Sequence, residues 1–355
     1  MTNWETYVKK LTPYVPGEQP GGDDVIKLNT NENPYPPSPK VAEAIKSMDA
    51  SVLRKYPDPV YKQLRGKLAG YHGVDEKQVF VGVGSDDVLA MAFLTFFSET
   101  KKPVLFPDIT YSFYDVWCEL FGIEYEQVPV LSDLSINADD YIKGSAGVVI
   151  ANPNAPTGLA MDRDELLRIV AAHHDEIVIV DEAYVDFGGE SLIPCVGEYP
   201  NLLVVRTFSK SRCLAGSRIG YAIADAKIIG YMMAARDSFN SYTMDTLTQR
   251  LAVASLSDEE YFSEHVAKIV KTREWSAKKL SQLGFSYPQS SANFIFAAHE
   301  RVPASHIYEE LKRRGIYVRY FNKPRIGNYL RITIGTPEEM ESLFSALSGI
   351  IEDYS

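Results

Sequence analysis

The sequence predicts an α/β protein: a mainly parallel sheet between two layers of helices, followed by a smaller α+β domain at the C-terminal end. Two observations carry this prediction. From Val79 to about residue 205, short apolar runs alternate with helical patterns, which is typical of a parallel sheet covered on both faces. Beyond about residue 245, the helices become longer and amphipathic and the strands shorter, which indicates a change of architecture.

Composition limits the class of protein. At 355 residues the chain is long enough for one large domain and a smaller one. Its net charge of −11 argues against nucleic acid as a partner. The three cysteines are odd in number and widely spaced, and the six histidines show no metal-binding spacing, so we expect neither disulfides nor a metal. The N-terminus lacks the apolar core of a signal peptide and no apolar run could cross a membrane, so we expect a cytoplasmic protein.

The N-terminal part is predicted to be irregular. The first 30 residues contain three prolines and are expected to form an extended arm with a short leading helix. Residues 29–39 are too rich in proline for a helix or a central strand, and they form either a linker or the wall of a pocket. We then expect a helix capped by Ser38 and running to about Met48, and a second helix over residues 61–71.

The central part carries the alternating pattern. Strands are expected at residues 79–81, 103–106, 125–130, 147–150, 177–180 and 202–205. Helices are expected at residues 88–97, 111–121 and 165–172, the last of them capped by Asp162.

The C-terminal part is predicted to form the smaller domain. Helices are expected at residues 258–283, 305–314 and 337–351, and strands at residues 293–297, 317–320 and 330–334. The predicted division is therefore an arm over residues 1–30, which packs on the small domain or on a partner subunit, a large domain over residues 31–245 and a small domain over residues 246–355.

Polar residues follow the predicted strands at the edge where such sheets bind ligands, beyond the carboxyl ends of the strands. They belong to segments distant in sequence, which the fold would bring into one site. The residues are Gly84, Ser85 and Asp86; Asn154; Asp181 and Tyr184; and Thr207, Ser209 and Lys210.

Lys210 and Arg218 indicate the chemistry of this site. Lys210 lies among small and apolar neighbours after a buried strand, a setting in which an amine can lose its proton and attack a carbonyl. Arg218 offers a planar cation suited to a phosphate, and the turn Gly84-Ser85-Asp86 could offer N–H groups at a helix start. A carbonyl-binding lysine beside a phosphate site is what pyridoxal phosphate requires. Taken alone, however, these segments could equally be a surface loop and an ordinary tight turn.

Asp181 ends an apolar strand, where a carboxylate is costly unless a cation pairs with it. A pyridinium nitrogen is such a cation, and the carboxylate would keep the ring protonated and electron-withdrawing. The alternative role for Asp181 is a helix cap. Tyr184, three residues later, could reach the phenolic oxygen of the ring. Tyr111 is either a core aromatic or a side chain that stacks on the ring.

Arg331 interrupts an apolar strand of the second domain without a carboxylate beside it in sequence, and a buried arginine of this kind usually binds an anionic ligand. Arg319 has a similar setting, although it could also be a surface residue of an edge strand. Tyr14 and Tyr56 each adjoin a proline and could be ordinary packing residues.

With these residues in place, nearly the whole chain resembles the aspartate aminotransferase superfamily of fold type I, and within it the histidinol-phosphate aminotransferase family. Ser209-Lys210 is typical of the superfamily, whereas Asn31-Glu32-Asn33-Pro34 and Tyr56-Pro57-Asp58 are typical of the family. The other matching segments are residues 13–17, 28–29, 84–86, 181–184, 214–221 and 330–333.

The resemblance implies a role for each candidate residue. Lys210 would bind the carbonyl of pyridoxal 5'-phosphate and act as catalytic base, Asp181 would hold the pyridinium, and Tyr184 would bond the phenolic oxygen. Tyr111 would stack on the ring, and Arg331 would bind the substrate anion with three residues nearby. Those three are Tyr14, Asn33 and Arg319. The phosphate would be held by Gly84, the Ser85 and Asp86 backbone, Thr207 or Ser209, Arg218, and Tyr56 from the other subunit of a homodimer.

Two positions depart from the family's pattern. The family usually has asparagine directly before Pro-Thr-Gly, where this chain has Ala155, so Asn154 would have to supply the amide to the cofactor. Ser211-Arg212-Cys213 replaces the usual small-aromatic-small sequence after the lysine, a change that leaves the chemistry intact.

The expected activity is amino transfer from L-histidinol phosphate to 2-oxoglutarate, in histidine biosynthesis. The partners would be small molecules, an amino donor and a 2-oxo acid. An aromatic amino-acid aminotransferase and a threonine-phosphate decarboxylase are alternatives on the same fold. A ligand-sensing regulator would normally carry a DNA-binding extension, and a nucleotide-dependent oxidoreductase would carry a Gly-x-Gly-x-x-Gly fingerprint; the sequence contains neither.

Overall fold

The computed structural model describes residues 3–22 and 25–354, and these form two sheets. Residues 1, 2, 23 and 24 of the predicted arm, and residue 355 of the predicted small domain, lie outside the described residues. The strands are β1 (Ile26–Leu28), β2 (Val79–Gly82), β3 (Val104–Pro107), β4 (Tyr125–Val128), β5 (Gly147–Ala151), β6 (Ile177–Asp181), β7 (Leu202–Thr207), β8 (Gly220–Ala224), β9 (Phe285–Ser286), β10 (Phe294–His299), β11 (Ile316–Tyr320) and β12 (Leu330–Thr333).

The larger sheet has the strand order β2-β8-β7-β6-β5-β3-β4. All of its strands run parallel to one another except β8, which is antiparallel to both of its neighbours. The inner strands β5, β6 and β7 are nearly continuous apolar runs because both faces of the sheet are covered there, whereas the edge strand β4 is mostly exposed. In β5, for example, Val148 and Ile150 pack into one helical layer and Val149 packs into the other. The predicted fold class is confirmed.

Helices form both layers and surround the second sheet. They are α1 (Pro39–Lys46), α2 (Lys62–His72), α3 (Gly84–Phe97), α4 (Tyr114–Phe121), α5 (Arg163–Ala172), α6 (Ala226–Phe239), α7 (Thr246–Leu256), α8 (Glu259–Gln282), α9 (Ala304–Arg313) and α10 (Pro337–Tyr354). One core lies between the large sheet and α1, α2, α5 and α7, and the other lies between the sheet and α3, α4 and α6. Within the described part of the chain, no helix is both long and apolar enough to pass through a bilayer.

The second sheet has the strand order β1-β11-β12-β10-β9 and packs against α8, α9 and α10. Its edge strand β1 comes from the N-terminal segment and runs parallel to β11, with Leu28 beside Val318. The buried Leu28 side chain belongs to the same apolar core as Ile295 and Leu330. After β1 the chain leaves the second sheet, forms α1 and α2, and then enters the large sheet at β2.

Several predicted elements need correction. The strand β8 and the helices α6 and α7 were not predicted. The helix expected over residues 111–121 begins only at Tyr114, because residues 111–113 form the turn that leaves β3. Ser38 precedes α1 as expected, but its side chain makes no capping hydrogen bond; Pro39 instead presets the helical φ at the first position. Asp162 does cap α5, since its carboxylate accepts from the Asp164 and Glu165 N–H groups.

Two glycines let β8 lie directly against the start of α3. A Cβ on Gly220 would overlap the Gly84 carbonyl carbon and the Ser85 nitrogen. Gly84 has a φ of +85°, and a Cβ there would lie 2.5 Å from the Arg218 guanidinium. The absence of both side chains therefore fixes how closely the first turn of α3 approaches β8 and Arg218.

Gly220→Ala is expected to push β8 away from α3 and to lower the free energy of unfolding by about 1–3 kcal/mol, as overpacking of a tight contact does. Urea unfolding measures the change. Gly230→Ala is the matched control, because Gly230 lies inside α6 with open space at its Cβ position. Equal stability of the two variants would show that the contact between β8 and α3 adapts without cost.

Candidate active site

A cavity of about 340 Å³ lies at the carboxyl ends of β5, β6 and β7 and at the start of α3. Polar ends of parallel strands meet at this edge, as the alternating pattern predicted. Nine of the predicted residues line it: Ser85, Asp86, Tyr111, Asp181, Tyr184, Thr207, Ser209, Lys210 and Arg218. Residues from four segments distant in sequence are therefore brought into one site.

Lys210 projects into the cavity from the loop after β7. Its Nζ donates to the Thr30 carbonyl at 3.2 Å and lies 5.7 Å from the centre of the Tyr184 ring. The Lys210 carbonyl accepts from the Asn33 amide at 2.9 Å, which fixes the backbone that carries the amine. No described carboxylate lies within 4.0 Å of the amine, so Lys210 is held by a neutral carbonyl and not by an ion pair.

A buried network fixes the chain just after Lys210. The Ser211 hydroxyl donates to Asp186 at 2.5 Å, and Asp186 also pairs with the buried Arg206 guanidinium. Although burial acts to raise it, Arg206 holds the pKa of Asp186 below its usual value. Arg212, whose guanidinium lies 4.1 Å from the centre of the Phe262 ring, turns away from the cavity. Ser211, Arg212 and Cys213 thus pack outside the lining of the cavity into which Lys210 projects.

Asp181 ends β6 and is buried at the floor of the cavity. Its Oδ1 accepts from the Ala183 N–H at 3.1 Å, and its Oδ2 accepts from the Tyr114 hydroxyl at 3.0 Å. Burial raises the pKa of Asp181 to about 6, and the two hydrogen bonds act against that rise. A cation in the cavity would remove the cost of ionising this carboxylate.

Tyr114 is a hydrogen-bond partner of Asp181 that the sequence reasoning missed. It lies in the first turn of α4, three residues after Tyr111, and it is fully buried among Phe93, Phe106 and Trp117. Burial raises the pKa of Tyr114 well above its ordinary value, so the hydroxyl remains a donor to Asp181. The only signal in the sequence was the three-residue spacing from Tyr111.

The start of α3, Arg218 and two hydroxyls form an anion cradle. Ser85 and Asp86 lie in the first turn of α3, where backbone N–H groups have no partner within the helix. Arg218 donates to Asp86 Oδ2 at 3.0 Å and to the Ser209 hydroxyl at 3.4 Å. The Thr207 and Ser209 hydroxyls lie 3.0 Å apart. Tyr111 closes the side, since its hydroxyl donates to Asp86 Oδ1 at 2.8 Å.

A second cavity of about 220 Å³ adjoins the first and shares Tyr111, Ala155, Tyr184 and Lys210 with it. Three predicted substrate residues line it as well: Tyr14, Arg319 and Arg331. Tyr14 stacks on Phe113 at 4.4 Å between ring centres. Arg319 donates weakly to the Val15 carbonyl at 3.4 Å.

Arg331 is a cation without an anionic partner. Its Nη2 donates to the Asn29 carbonyl at 2.9 Å, and its solvent-shielded Nε has no hydrogen-bond partner among the described residues. No described carboxylate lies within ion-pair distance of the guanidinium. Burial lowers the pKa of Arg331, which means that the charge is under-compensated. An anionic group in the second cavity would supply what is missing.

Asn33, Asn154 and Tyr56 are not placed in these cavities. Asn33 lies behind Lys210, where its amide bonds the chain. Asn154 uses its Oδ1 for the Thr110 hydroxyl and its Nδ2 for the Ile109 carbonyl and the Thr157 hydroxyl, and it is not among the residues that line either cavity. Ala155 lines the wall instead. Tyr56 is 82% exposed, with its ring 4.8 Å from that of Tyr242.

Asn31 is the second residue that the sequence reasoning missed. It lies two residues before Asn33, lines the second cavity and donates from Nδ2 to the Tyr184 hydroxyl at 2.9 Å. The alternating asparagines 29, 31 and 33 pointed to this segment, but the spacing alone did not show which of them faces the site. Among the described residues, no group of three His, Cys, Asp or Glu side chains could hold a metal ion.

Comparison with known proteins defines the class. A family model described as Aminotransferase class I and II matches residues 23–347, and the chain belongs to this family. It is 50% identical to histidinol-phosphate aminotransferase 1 of Hydrogenovibrio crunogenus over 98% of each chain. It is 48% identical to histidinol-phosphate aminotransferase of Clostridium beijerinckii over 99% of this chain and 98% of that one.

A solved structure shows the same fold. Histidinol-phosphate aminotransferase from Sinorhizobium meliloti, in complex with pyridoxal-5'-phosphate, matches with a TM-score of 0.83 at 25% identity, over 93% of this chain and 92% of that chain. These similarities confirm the predicted family, fold type, enzyme class and cofactor.

Tyr114→Phe is expected to raise the pKa of Asp181 above about 6, because a hydrogen bond to the ionised form is lost. The folded-state pKa of Asp181 already exceeds its ordinary value of 3.8, so ionisation costs stability as pH rises through about 6. The variant should therefore lose about 1–3 kcal/mol more free energy of unfolding at pH 8 than at pH 5, relative to the original chain.

Urea unfolding of the cofactor-free protein at both pH values measures this difference. In an Asp181→Asn background, the pH-dependent part of the effect should vanish, because the carboxylate on which Tyr114 acts is gone. An equal loss of stability at both pH values would mean that Tyr114 serves packing alone.

Proposed function

We propose that the chain binds pyridoxal 5'-phosphate in the main cavity and transfers the amino group of L-histidinol phosphate to 2-oxoglutarate. The products would be imidazole acetol phosphate and L-glutamate, in histidine biosynthesis. One observation carries the proposal. Lys210, Asp181 and Arg218 line the same cavity, and Arg331, which has no anionic partner among the described residues, lines the adjoining cavity. The names of the two relatives at 48–50% identity support the choice of substrate.

The residues of the cavity fit this cofactor. Asp181 is buried and has no described cation within 4.0 Å of its carboxylate. An unpaired carboxylate of this kind is the partner that a protonated pyridine nitrogen needs. At the other end, the missing side chain of Gly84 leaves room for Arg218 beside the first turn of α3. The N–H groups of that turn, Arg218 and the Ser209 hydroxyl together suit a phosphate.

Each residue then has a stated task. Ser85, Asp86, Thr207, Ser209 and Arg218 would hold the phosphate through the cradle described above. Two aromatic residues act on the ring: Tyr111 would cover one face of it, and Tyr184 would bond its phenolic oxygen. When bound, the cofactor draws electrons away from the substrate carbon that loses its proton.

Lys210 performs the proton transfer. Its Nζ would hold the cofactor at the carbonyl group, and as a free amine it would take the proton from the substrate carbon. The Thr30 carbonyl and the backbone held by Asn33 and Ser211 keep this amine near one position. Asp181 would pair with the ring nitrogen as a carboxylate and would keep that nitrogen protonated.

Arg331 would bind the anionic group of each substrate in turn. A guanidinium donates the same pair of N–H hydrogen bonds to a phosphate or to a carboxylate. One site can therefore bind both histidinol phosphate and glutamate. Arg319 and Tyr14 line the same cavity and would complete the pocket. The position of Asn33 behind Lys210 gives it a supporting role and not a direct one.

We further propose a homodimer in the cytoplasm, with Tyr56 of a second copy completing the phosphate site. The support is the exposed pair of Tyr56 and Tyr242, whose ring centres lie 4.8 Å apart, together with further exposed apolar side chains close to them in sequence. Leu53 and Phe239, near them in sequence, are 58% and 76% exposed. Large apolar side chains left in water in this number favour a covered surface.

A steady-state comparison of substrates tests the proposed reaction. Purified enzyme with pyridoxal phosphate is given 2-oxoglutarate and either histidinol phosphate, phenylalanine or threonine phosphate. The highest kcat/KM is expected for histidinol phosphate. A preference for phenylalanine would make the chain an aromatic aminotransferase, and release of CO₂ from threonine phosphate would make it a decarboxylase.

Lys210→Ala is expected to abolish transamination while the fold and part of the cofactor affinity remain, because the phosphate cradle is unchanged. The measurement is the single-turnover reaction with histidinol phosphate. The control is Lys227→Ala, which changes a lysine in the first turn of α6 that lines neither cavity. Turnover within tenfold of the original enzyme, about 1.4 kcal/mol in barrier, would remove Lys210 from the role of base.

Arg331→Ala is expected to lower kcat/KM in both half-reactions, because a charged contact to each substrate is lost. The loss should correspond to a rise of about 2–4 kcal/mol in the free-energy barrier. Arg218→Ala should instead weaken the cofactor itself. Single-turnover kinetics and a cofactor titration of both variants separate the two roles. A loss with glutamate alone would show that the phosphate of histidinol phosphate is held elsewhere, with Arg319 the first candidate.

A further inference from the structure

Asn31 occupies a special backbone position between the two sheets. It lies three residues after β1, is buried, and has a φ of +56°, in the left-handed region that asparagine tolerates better than most residues. Its carbonyl accepts from the Asn293 amide at 3.0 Å. Both its backbone and its side chain are therefore fixed by the second sheet.

Thr333 of β12 fixes which way the Asn31 amide faces. The Thr333 hydroxyl accepts from the Asn31 backbone N–H at 3.0 Å, and it donates its own hydrogen to Asn31 Oδ1 at 3.1 Å. In the flipped orientation, the hydroxyl would face two donors and its own hydrogen would lose this acceptor. The satisfied arrangement places Oδ1 on Thr333 and the NH₂ group on Tyr184.

The amide in turn determines the direction of the Tyr184 hydroxyl. Asn31 Nδ2 donates to the Tyr184 oxygen at 2.9 Å, so the tyrosine is the acceptor in this contact. No other hydrogen bond of this hydroxyl is formed within the described residues, and its own hydrogen therefore has no protein acceptor. Because Tyr184 lines both cavities, that hydrogen remains available to a ligand.

The side chains of Asn154 and Ala155 offer no free hydrogen-bond donor at this end of the cavity. Ala155 contributes only a methyl group to the wall, and the Asn154 amide is occupied by Thr110 and Ile109. The titratable or charged groups that line a cavity together with Tyr184 are Glu32, Asp86, Asp181, Arg218, Tyr14, Arg319, Arg331, Tyr111 and Lys210, and the buried Tyr114 lies near them. The Tyr111 and Tyr114 hydroxyls already donate to Asp86 and Asp181.

We propose that Asn31, oriented by Thr333, is a positioning residue that directs the Tyr184 hydroxyl hydrogen into the cavity toward an anionic ligand oxygen. This rests on the proposed function, in which that oxygen is the phenolic oxygen of pyridoxal phosphate. Asn31 acts by making the tyrosine oxygen an acceptor on one side, which leaves the tyrosine only one direction in which to donate. The series of hydrogen bonds thus runs from Thr333 to Asn31, from Asn31 to Tyr184 and from Tyr184 to the ligand.

The test is the pH midpoint of the change in the bound cofactor's visible absorbance, at which the proton shared by its phenolic oxygen and the nitrogen attached to its carbonyl carbon would be lost. A donor to the anionic oxygen favours the anionic form, so losing the donor raises the midpoint. Asn31→Gly removes the amide while keeping a residue that accepts a φ of +56°. We expect it to raise the midpoint by about one pH unit, close to the effect of Tyr184→Phe. Thr333→Val, which leaves Asn31 in place, should give a smaller rise and covers the case in which Asn31→Gly folds poorly.

The double variant decides whether Asn31 acts through Tyr184. In a Tyr184→Phe background, Asn31→Gly should leave the midpoint unchanged within about 0.2 pH unit. An unchanged midpoint in Asn31→Gly and Thr333→Val, when Tyr184→Phe does shift it, would overturn the inference, and so would a full shift by Asn31→Gly in the absence of the Tyr184 hydroxyl. Asn137→Gly, whose side chain bonds Asp139 and Asp140 in its own turn, controls for the loss of an asparagine.

A failure of the proposed function would give a different experimental result from a failure of the positioning role. If the original protein, mixed with pyridoxal phosphate, develops no visible band that borohydride removes, the cofactor assignment itself is wrong. If the band forms and titrates but ignores Asn31 and Thr333, only the positioning role is wrong.

Discussion

The constraint that governs the active site is the free energy needed to ionise a carboxylate, that of Asp181, at the buried end of a strand. Asp181 has two hydrogen-bond donors and no cation beside it among the described residues, so burial raises its pKa to about 6. An apolar residue there would make a more stable empty protein. The site is therefore built at the expense of the cofactor-free fold, and a ligand that brings a positive charge to Asp181 recovers that free energy.

Much of the fold and the centre of the site could be predicted from sequence, for a topological reason. Strands that are apolar throughout must be covered on both faces, and the residues after them must then meet at one edge. This is why Lys210, Asp181 and Arg218 could be placed together although up to 37 positions separate them. The reasoning failed over residues 220–256, where β8 runs against the direction of its neighbours and the alternating pattern stops.

Side-chain partners were harder to predict than strand ends. Three asparagines alternate in one extended segment, and the pattern could not show that Asn31 faces Tyr184 while Asn33 holds the Lys210 backbone. That choice is made by Thr333, about 300 residues away in sequence. Tyr114 was missed for the same reason, because a buried tyrosine on an apolar helix looks like core until the strand end beneath it is known.

The unpaired guanidinium of Arg331 has a consequence for anyone who measures this enzyme. A partly buried guanidinium with one carbonyl and two aromatic rings beside it, and no described carboxylate within ion-pair distance, should bind small oxyanions present in solution. Phosphate and sulfate buffers should thus compete with the substrate anions that we propose Arg331 binds, and should raise the apparent KM linearly with their concentration. Assays in a zwitterionic buffer avoid this competition, and added inorganic phosphate becomes a simple reporter of whether the arginine is free.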